Sequence, residues 1–338
     1  MPLFGYNPDN GLLLGVQYIH RGFGFKKRNV QTVGLRYAFE TSAYDFEYNG
    51  DFLNLFQKFD FSFQVDWEGP LYVVNYFGMG NETLMPEVDR NFFRVRRARF
   101  FVSPAVQKRF KDGRTRLRLG PVFERRRIEE TPDRILTSDF IEVPTDIFDP
   151  DNFIGAGVSF THENLDKPSF PCNGIVFNSS INYRASTRDI SNDFIRLEAG
   201  MKLYHTFDKF DRLMLATQFG VRHISGHFDF HQAPTLGGGD NLRGFAQERF
   251  TGNTVFYHNT DLRIRLLRIK RGFIPSSVGV TAGFDYGRVW MPEENSELWH
   301  IGYGGQLWIA PLDYFVLSTG MFFSEEDSRF TIRLGFSF

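Results

Sequence analysis

Residues 58–67 read KFDFSFQVDW, and in an extended chain this run has two unlike faces. Phe59, Phe61, Phe63, Val65 and Trp67 fall on one side, and Asp60, Ser62, Gln64 and Asp66 on the other. RFTIRLGFSF at the end of the chain repeats the period, with Phe330, Ile332, Leu334, Phe336 and Phe338 opposite Thr331, Arg333, Gly335 and Ser337. In AYDFEYNGDF, Tyr44, Phe46 and Tyr48 oppose Asp45, Glu47 and Asn49. Similar runs start near Gly11, Val30, Leu71, Asn91, Thr115, Phe153, Gly174, Asp193, Arg212, Thr254, Ser277, Leu298 and Tyr314. Together they make about 16 predicted strands, an even number as in single-chain outer-membrane barrels, and no helix-period segment interrupts them.

Composition decides what the apolar faces meet. Aromatics make up 17% of the 338 residues and Phe occurs 40 times, yet the mean hydropathy is -0.30. The longest apolar stretches, such as GLLLGV, fall far short of the roughly 20 residues of a membrane helix. A membrane β-barrel reconciles these facts, because its apolar residues occupy alternate positions and cancel in a hydropathy window. A soluble sandwich would carry a polar outer face rather than rows of Phe and Tyr. Connection lengths agree: TS (41–42), GP (69–70) and PLD (311–313) are short, whereas 79–90, 125–152 and 222–252 are long. Short periplasmic turns that alternate with long external loops are a barrel's pattern. The expectation is an all-β, transmembrane antiparallel barrel over residues 1–338, set among the lipids of a bacterial outer membrane.

Other features exclude function classes. A net charge of -1 gives no electrostatic reason for a nucleic-acid partner. The single Cys172 rules out an internal disulfide or a cysteine metal cluster. MPLFGYNPDNG has neither the basic nor the apolar region of a signal peptide, so Met1 is expected to be a mature end or a boundary with an upstream domain. No G-x-S-x-G elbow, P-loop or H-E-x-x-H occurs, and the spacing of His223, His227 and His231 makes a metal face only on a helix. The chain is expected to be non-enzymatic and to need no cofactor. TSDFIEVPTDIFDPDN (137–152) has carboxylates enough for a cation such as calcium, with ordinary solvated loop chemistry as the alternative.

Alternation also assigns a lumen. Asp45 and Glu47 are expected there beside Asp60 and Asp66, with Arg94, Arg96, Arg116 and Arg118 further round. These charges either pair or set up a transverse field. The predicted thirteenth strand, VGVTAGFDYGRVW, sends Thr281, Gly283, Asp285 and Gly287 inward and Val280, Ala282, Phe284 and Tyr286 toward lipid. A carboxylate between two glycines leaves open space above the strand. The twelfth, FYHNTDLRIRLL, adds an inward Asp261 with Asn259 and Arg263. Between strands lies PTLGGGDNLRGFAQERFTG (234–252), whose glycines permit a tight descent. Loop 222–252 is therefore expected to fold into the lumen, where Arg243 forms a charge-assisted pair with Asp285. The alternative is an arginine in solvent.

These residues resemble a family. NLRGF, with Arg243, Gly244 and Phe245, resembles the signature of the sixth external loop in the BamA/TamA outer-membrane assembly factors, the bacterial surface antigen family. GFDYGRV resembles that family's thirteenth-strand motif, and DLRIRL its twelfth, with Asp261 where glutamate is usual. ENLDKPSFPCNG is similar to the mid-barrel D-R-D-N-x-x-P-x-x-G element, with departures. A last strand ending in Leu334, Phe336 and Phe338 is similar to the signal by which such barrels are inserted. The resemblance implies that Arg243 pairs with Asp285, that client outer-membrane or secreted proteins and assembly-complex lipoproteins are partners, and that POTRA repeats lie upstream of Met1. GYNPDNGLLLG, GFKKR and NYFGMGNET are similar to barrels fused behind a calcineurin-like phosphoesterase domain, which would also lie outside these residues. Three functions follow: insertion or translocation of proteins through a weak seam between first and last strands, anchoring of a fused phosphoesterase or lipase domain, or passage of small solutes. An inserted loop would obstruct the third.

Overall fold

The computed structural model describes every residue except 1, 8–10, 25–26, 57, 86–87, 168–169, 189–191, 271–273 and 314. Its barrel strands are β1 (Pro2–Asn7), β2 (Gly11–Gly24), β3 (Lys27–Ala38), β4 (Ala43–Phe56), β5 (Phe59–Asn75), β6 (Arg94–Arg109), β7 (Thr115–Ile128) and β8 (Asp151–Leu165). They continue with β9 (Gly174–Ser186), β10 (Asp193–Thr206) and β11 (Leu213–Gly226). Within the next connection β12 (Thr235–Leu236) and β13 (Phe250–Thr251) form a two-residue ribbon of their own. The barrel resumes with β14 (Thr254–Ile269), β15 (Ser276–Trp290), β16 (His300–Pro311), β17 (Leu317–Phe323) and β18 (Ser328–Leu334). Each strand pairs with its neighbour in antiparallel fashion, β11 joins β14, and β1 meets β18 to close the barrel.

Closure is uneven. The β10–β11 ladder runs unbroken from Phe194↔Gly226 to Thr206↔Met214. Among the described residues the β1–β18 seam consists of Gly5↔Arg333 and Tyr6↔Ile332. Sheet stability accrues pair by pair, so the seam is the weakest join in the wall.

Two differences from the sequence reading cancel in the strand count. Residues 2–7 form β1, ahead of the predicted start at Gly11. The runs at 58–67 and 71 onward are a single strand, β5. Gly69-Pro70 is no turn: the register against β6 shifts between Glu68 and Tyr72, an irregularity of the kind that accommodates a residue without an N–H. The turn at 41–42 therefore follows an odd-numbered strand and lies on the side of the long loops, where Glu40 meets Arg94 at 3.1 Å. The predicted start at Tyr314 lies outside the described residues, as do parts of 8–10, 25–26 and 168–169 used for the family resemblance.

Exposure settles the faces. Phe59 and Trp67 are 40% and 47% exposed, whereas Asp60 and Ser62 are buried. Inside, acid meets base: Arg36–Asp45 at 2.8 Å, Arg109–Asp60 at 2.6 Å and Arg99–Glu124 at 2.7 Å. Asp66 and Arg118 are hydrogen-bonded instead, to Gln64 and to Ser62 and Ser103. On β6 the inward arginines are Arg97 and Arg99 rather than Arg94 and Arg96, because exposed Phe100 and Val106 set the even positions outward. Arg96 instead meets Glu129 at 3.2 Å. Strand β18 also departs from expectation. Phe330 and Leu334 face outward, but Gly335 turns at φ 104 and Phe336 and Phe338 leave the lipid face for the interior.

The seam register can be checked directly. Directly opposed antiparallel residues have Cα atoms about 4.5–5.5 Å apart, inside the disulfide range of about 4.4–6.8 Å. Oxidation of a Tyr6→Cys, Ile332→Cys protein should give a faster-migrating band on a denaturing, non-reducing gel. A Tyr6→Cys, Leu334→Cys control should not. The same band in both, or in neither, would contradict the register.

Candidate functional site

Residues 227–253 leave β11 and return to β14 through the barrel interior. The descent uses glycines where the backbone enters left-handed space: Gly237 at φ 124, Gly238 at φ 93 and Gly244 at φ 95. A side chain on Gly244 would also meet the Phe323 carbonyl oxygen at 2.7 Å. Asn241 pins the turn, accepting from the Gly237 N–H at 2.8 Å and donating to the Thr235 carbonyl at 3.0 Å. Strands β11 and β14 grip the same turn, because Gln218 donates to the Asp240 carbonyl at 2.9 Å and Asn259 to the Asn241 carbonyl at 3.0 Å. Beside it, Leu236, Leu242, Phe245, Phe250, Val255 and Val289 belong to one buried hydrophobic cluster.

At the bottom sits Arg243, 4% exposed. Its Nη2 lies 2.5 Å from Asp285 Oδ1, its Nε donates to Asp285 Oδ2 at 2.7 Å, and its backbone N–H donates to the same oxygen at 2.9 Å. The remaining end of the fork, Nη1, donates to Asp261 Oδ1 at 2.7 Å. Both carboxylates are fully buried. Bidentate guanidinium–carboxylate contacts of this kind are short, strong and directional. The guanidinium also stacks over the Phe322 ring at 4.1 Å. Burial works against its charge, but Asp261 and Asp285 more than offset that and raise the Arg243 pKa.

The floor beneath is glycine. A Cβ on Gly283 would lie 2.8 Å from Arg243 Nη2, and one on Gly287 would lie 3.0 Å from Leu236 Cδ1. The closest approach was not foreseen from sequence: a Cβ on Gly302 would sit 1.9 Å from the Arg243 carbonyl oxygen. Inward glycines at alternate positions of HIGYGGQLW were its available signal. Arg249 was also missed. It forms a fork on Glu326 at 2.7 and 2.8 Å and donates to Thr83, which ties the loop to two other external connections. No local pattern marks that arrangement, since the partners are 77 and 166 residues away.

The network reaches the end of the chain. Arg263 stands 3.5 Å from Asp261 and donates to the Phe338 carbonyl at 2.8 Å. Its guanidinium lies 3.8 Å from the centre of the Phe336 ring, which packs with Phe170 and Trp308. Leu334 stays on the outside, 42% exposed. As for metals, no group of three or more His, Cys, Asp or Glu among the described residues could hold an ion, and His223 hydrogen-bonds Thr254 at 2.7 Å.

Breaking a buried pair strands the remaining charge, at about 3–5 kcal/mol where water is excluded and less in a partly wet lumen. Arg243→Ala and Asp285→Ala should each make the loop sensitive to externally added protease. The double variant should be no worse than the worse single one, because both remove the same contact. Gly302→Ala should loosen the loop similarly while every charge is kept. A loop equally resistant in all four would exclude the pair as its anchor.

The model of the Omp85 superfamily domain matches residues 101–338. Among solved structures, BamA from Haemophilus ducreyi lacking POTRA domains 1–3 superposes with a TM-score of 0.69 at 14% identity, covering 98% of this chain and 69% of that one. CdiB from Escherichia coli gives 0.62 at 14% identity, covering 99% and 62%. CdiB from Acinetobacter baumannii gives 0.62 at 12% identity, covering 99% and 58%, so the chain spans less than two thirds of either CdiB. No curated protein sequence matches it. At these identities the superpositions speak for the fold, whereas the domain match covers most of the sequence: the chain belongs to the Omp85 superfamily and is an outer-membrane β-barrel.

Proposed function

We propose that this barrel inserts client proteins into the outer membrane, with the β1–β18 seam as the place where a client strand pairs. The observation that carries this reading is the seam itself, two residue pairs among the described residues in a wall whose other ladders have six or more. A short ladder costs little to open. Once open, β1 and β18 present unpaired N–H and C=O groups to a client strand, which adds by β-augmentation. Membership of a superfamily that includes BamA and CdiB barrels supports protein insertion or translocation as the broad activity. The chain's role in this scheme is non-catalytic: it supplies an edge and a shaped interior. A loop locked across the lumen disfavours passive solute flow.

The Tyr6→Cys, Ile332→Cys protein tests this in liposomes with a urea-unfolded outer-membrane barrel as client. Reduced, it should accelerate client folding over empty liposomes. Oxidised, it should lose that acceleration and regain it with dithiothreitol. Equal activity in both states would overturn the seam as the site. No acceleration in either state, from protein that retains heat-modified mobility, would favour an anchor for another domain.

A further inference from the structure

The lumen holds a second cluster of arginines, away from Arg243. A cavity of about 250 Å³ lies between the wall and the inserted loop, lined by Arg97, Arg99, Arg126, Arg196 and Arg222, with His231 from the loop. Three of these are committed. Arg97 meets Glu68 at 2.6 Å, and Arg99 and Arg126 share Glu124 at 2.7 Å each. Arg126 also donates to the His231 carbonyl at 2.7 Å. The other two are not matched. Arg196 donates one N–H to the Gln232 carbonyl, but its buried Nε has no partner. Arg222 lies over the Tyr257 ring at 5.6 Å. Neither forms an ion pair among the described residues. Glu198 faces Arg222 across the β10–β11 ladder and also lines the cavity, yet it too makes none.

We propose that this cavity is a binding site for a phosphate-class oxyanion. The five guanidiniums face Glu198 and Glu248 on the cavity wall and Glu68 and Glu124 behind it, so positive charge is in excess. His231 adds none, because burial first, and then the nearby Arg126 and Arg97, push its pKa well below the usual range. Among the described residues Arg196 and Arg222 have no carboxylate bonded to them, so their charge is available to an oxyanion in the cavity. A phosphate carries more acceptor oxygens than a carboxylate and can accept from several guanidiniums at once. The volume is several times a water's share of liquid, about 30 Å³, and leaves room for a phosphate with a small attached group. Because Arg126 and Arg196 already hold loop carbonyls, an anion here would bridge the wall to the loop. The site does not depend on the insertion reading.

The test uses the whole chain in phosphate-free detergent, titrated calorimetrically with inorganic phosphate against a sodium chloride series of equal ionic strength. Glycerol 3-phosphate stands in for a lipid headgroup. Saturable heat with phosphate, and slower proteolysis of the loop at saturation, are expected. Arg196→Gln with Arg222→Gln should weaken binding at least tenfold and abolish the protection, while heat-modified mobility stays unchanged. Arg118→Gln, elsewhere in the lumen, should leave both intact. Tighter binding of glycerol 3-phosphate than of inorganic phosphate would indicate a headgroup as the source, and the reverse a free ion. No heat beyond the chloride series, or equal binding by the Arg196, Arg222 variant, would overturn the site.

Discussion

Two carboxylates, Asp261 and Asp285, sit fully buried on adjacent strands inside a barrel. A charge left unpaired out of water is unfavourable by several kcal/mol. One guanidinium, carried in by the loop, bonds both, and Arg263 adds a second positive charge beside Asp261. The rest of the interior follows from bringing it there. Gly237, Gly238 and Gly244 allow the chain to turn downward, Gly283 and Gly302 leave room for it at the bottom, and Asn241 holds the turn. The hydrophobic cluster that includes Leu242 and Phe245, on either side of Arg243 in sequence, is buried beside it. Burial lowers the local dielectric and so strengthens the attraction between the charges.

The same network shapes the far side of the barrel. Asp261 lies between Arg243 and Arg263, and Arg263 holds the Phe338 carbonyl and the Phe336 ring. A chain end drawn inward cannot continue as a strand, so β18 stops at Leu334. Its pairing with β1 then shrinks to residues 332 and 333. The short seam is thus linked, through two arginines and one aspartate, to the loop lock. A change at the lock has a short covalent and electrostatic route to the wall's weakest join.

What could be read from sequence divides along a physical line. Inward Asp285, Asp261 and Gly283 were legible because strand geometry has a period of two and nothing in β14 or β15 breaks it near those residues. Arg243 was legible as a loop cation with a glycine-rich approach. Phe336 and Phe338 were misplaced because RFTIRLGFSF keeps its alternation through Gly335, while the pocket that turns the chain is built by Phe170 and Trp308 from other parts of the fold. Likewise, Gly-Pro is ordinary turn punctuation, and only the register shift against β6 shows that β5 runs through it. Gly302 and the Arg249–Glu326 fork are contacts between distant segments. No window of sequence contains both halves of either.

Alternation specifies faces but not what fills the space between them. A barrel of sixteen strands encloses an interior that side chains alone do not fill. Here the filling is uneven. On the β14–β16 side the loop packs closely onto Gly283, Gly287 and Gly302. On the β6–β11 side the wall carries long arginines, and the loop meets them through backbone carbonyls at His231 and Gln232. Carbonyl oxygens are weaker partners for a guanidinium than carboxylates are. The loop is therefore held by charge pairs at one end and by neutral acceptors at the other, so its opening should start from the β10–β11 side while Arg243 still holds.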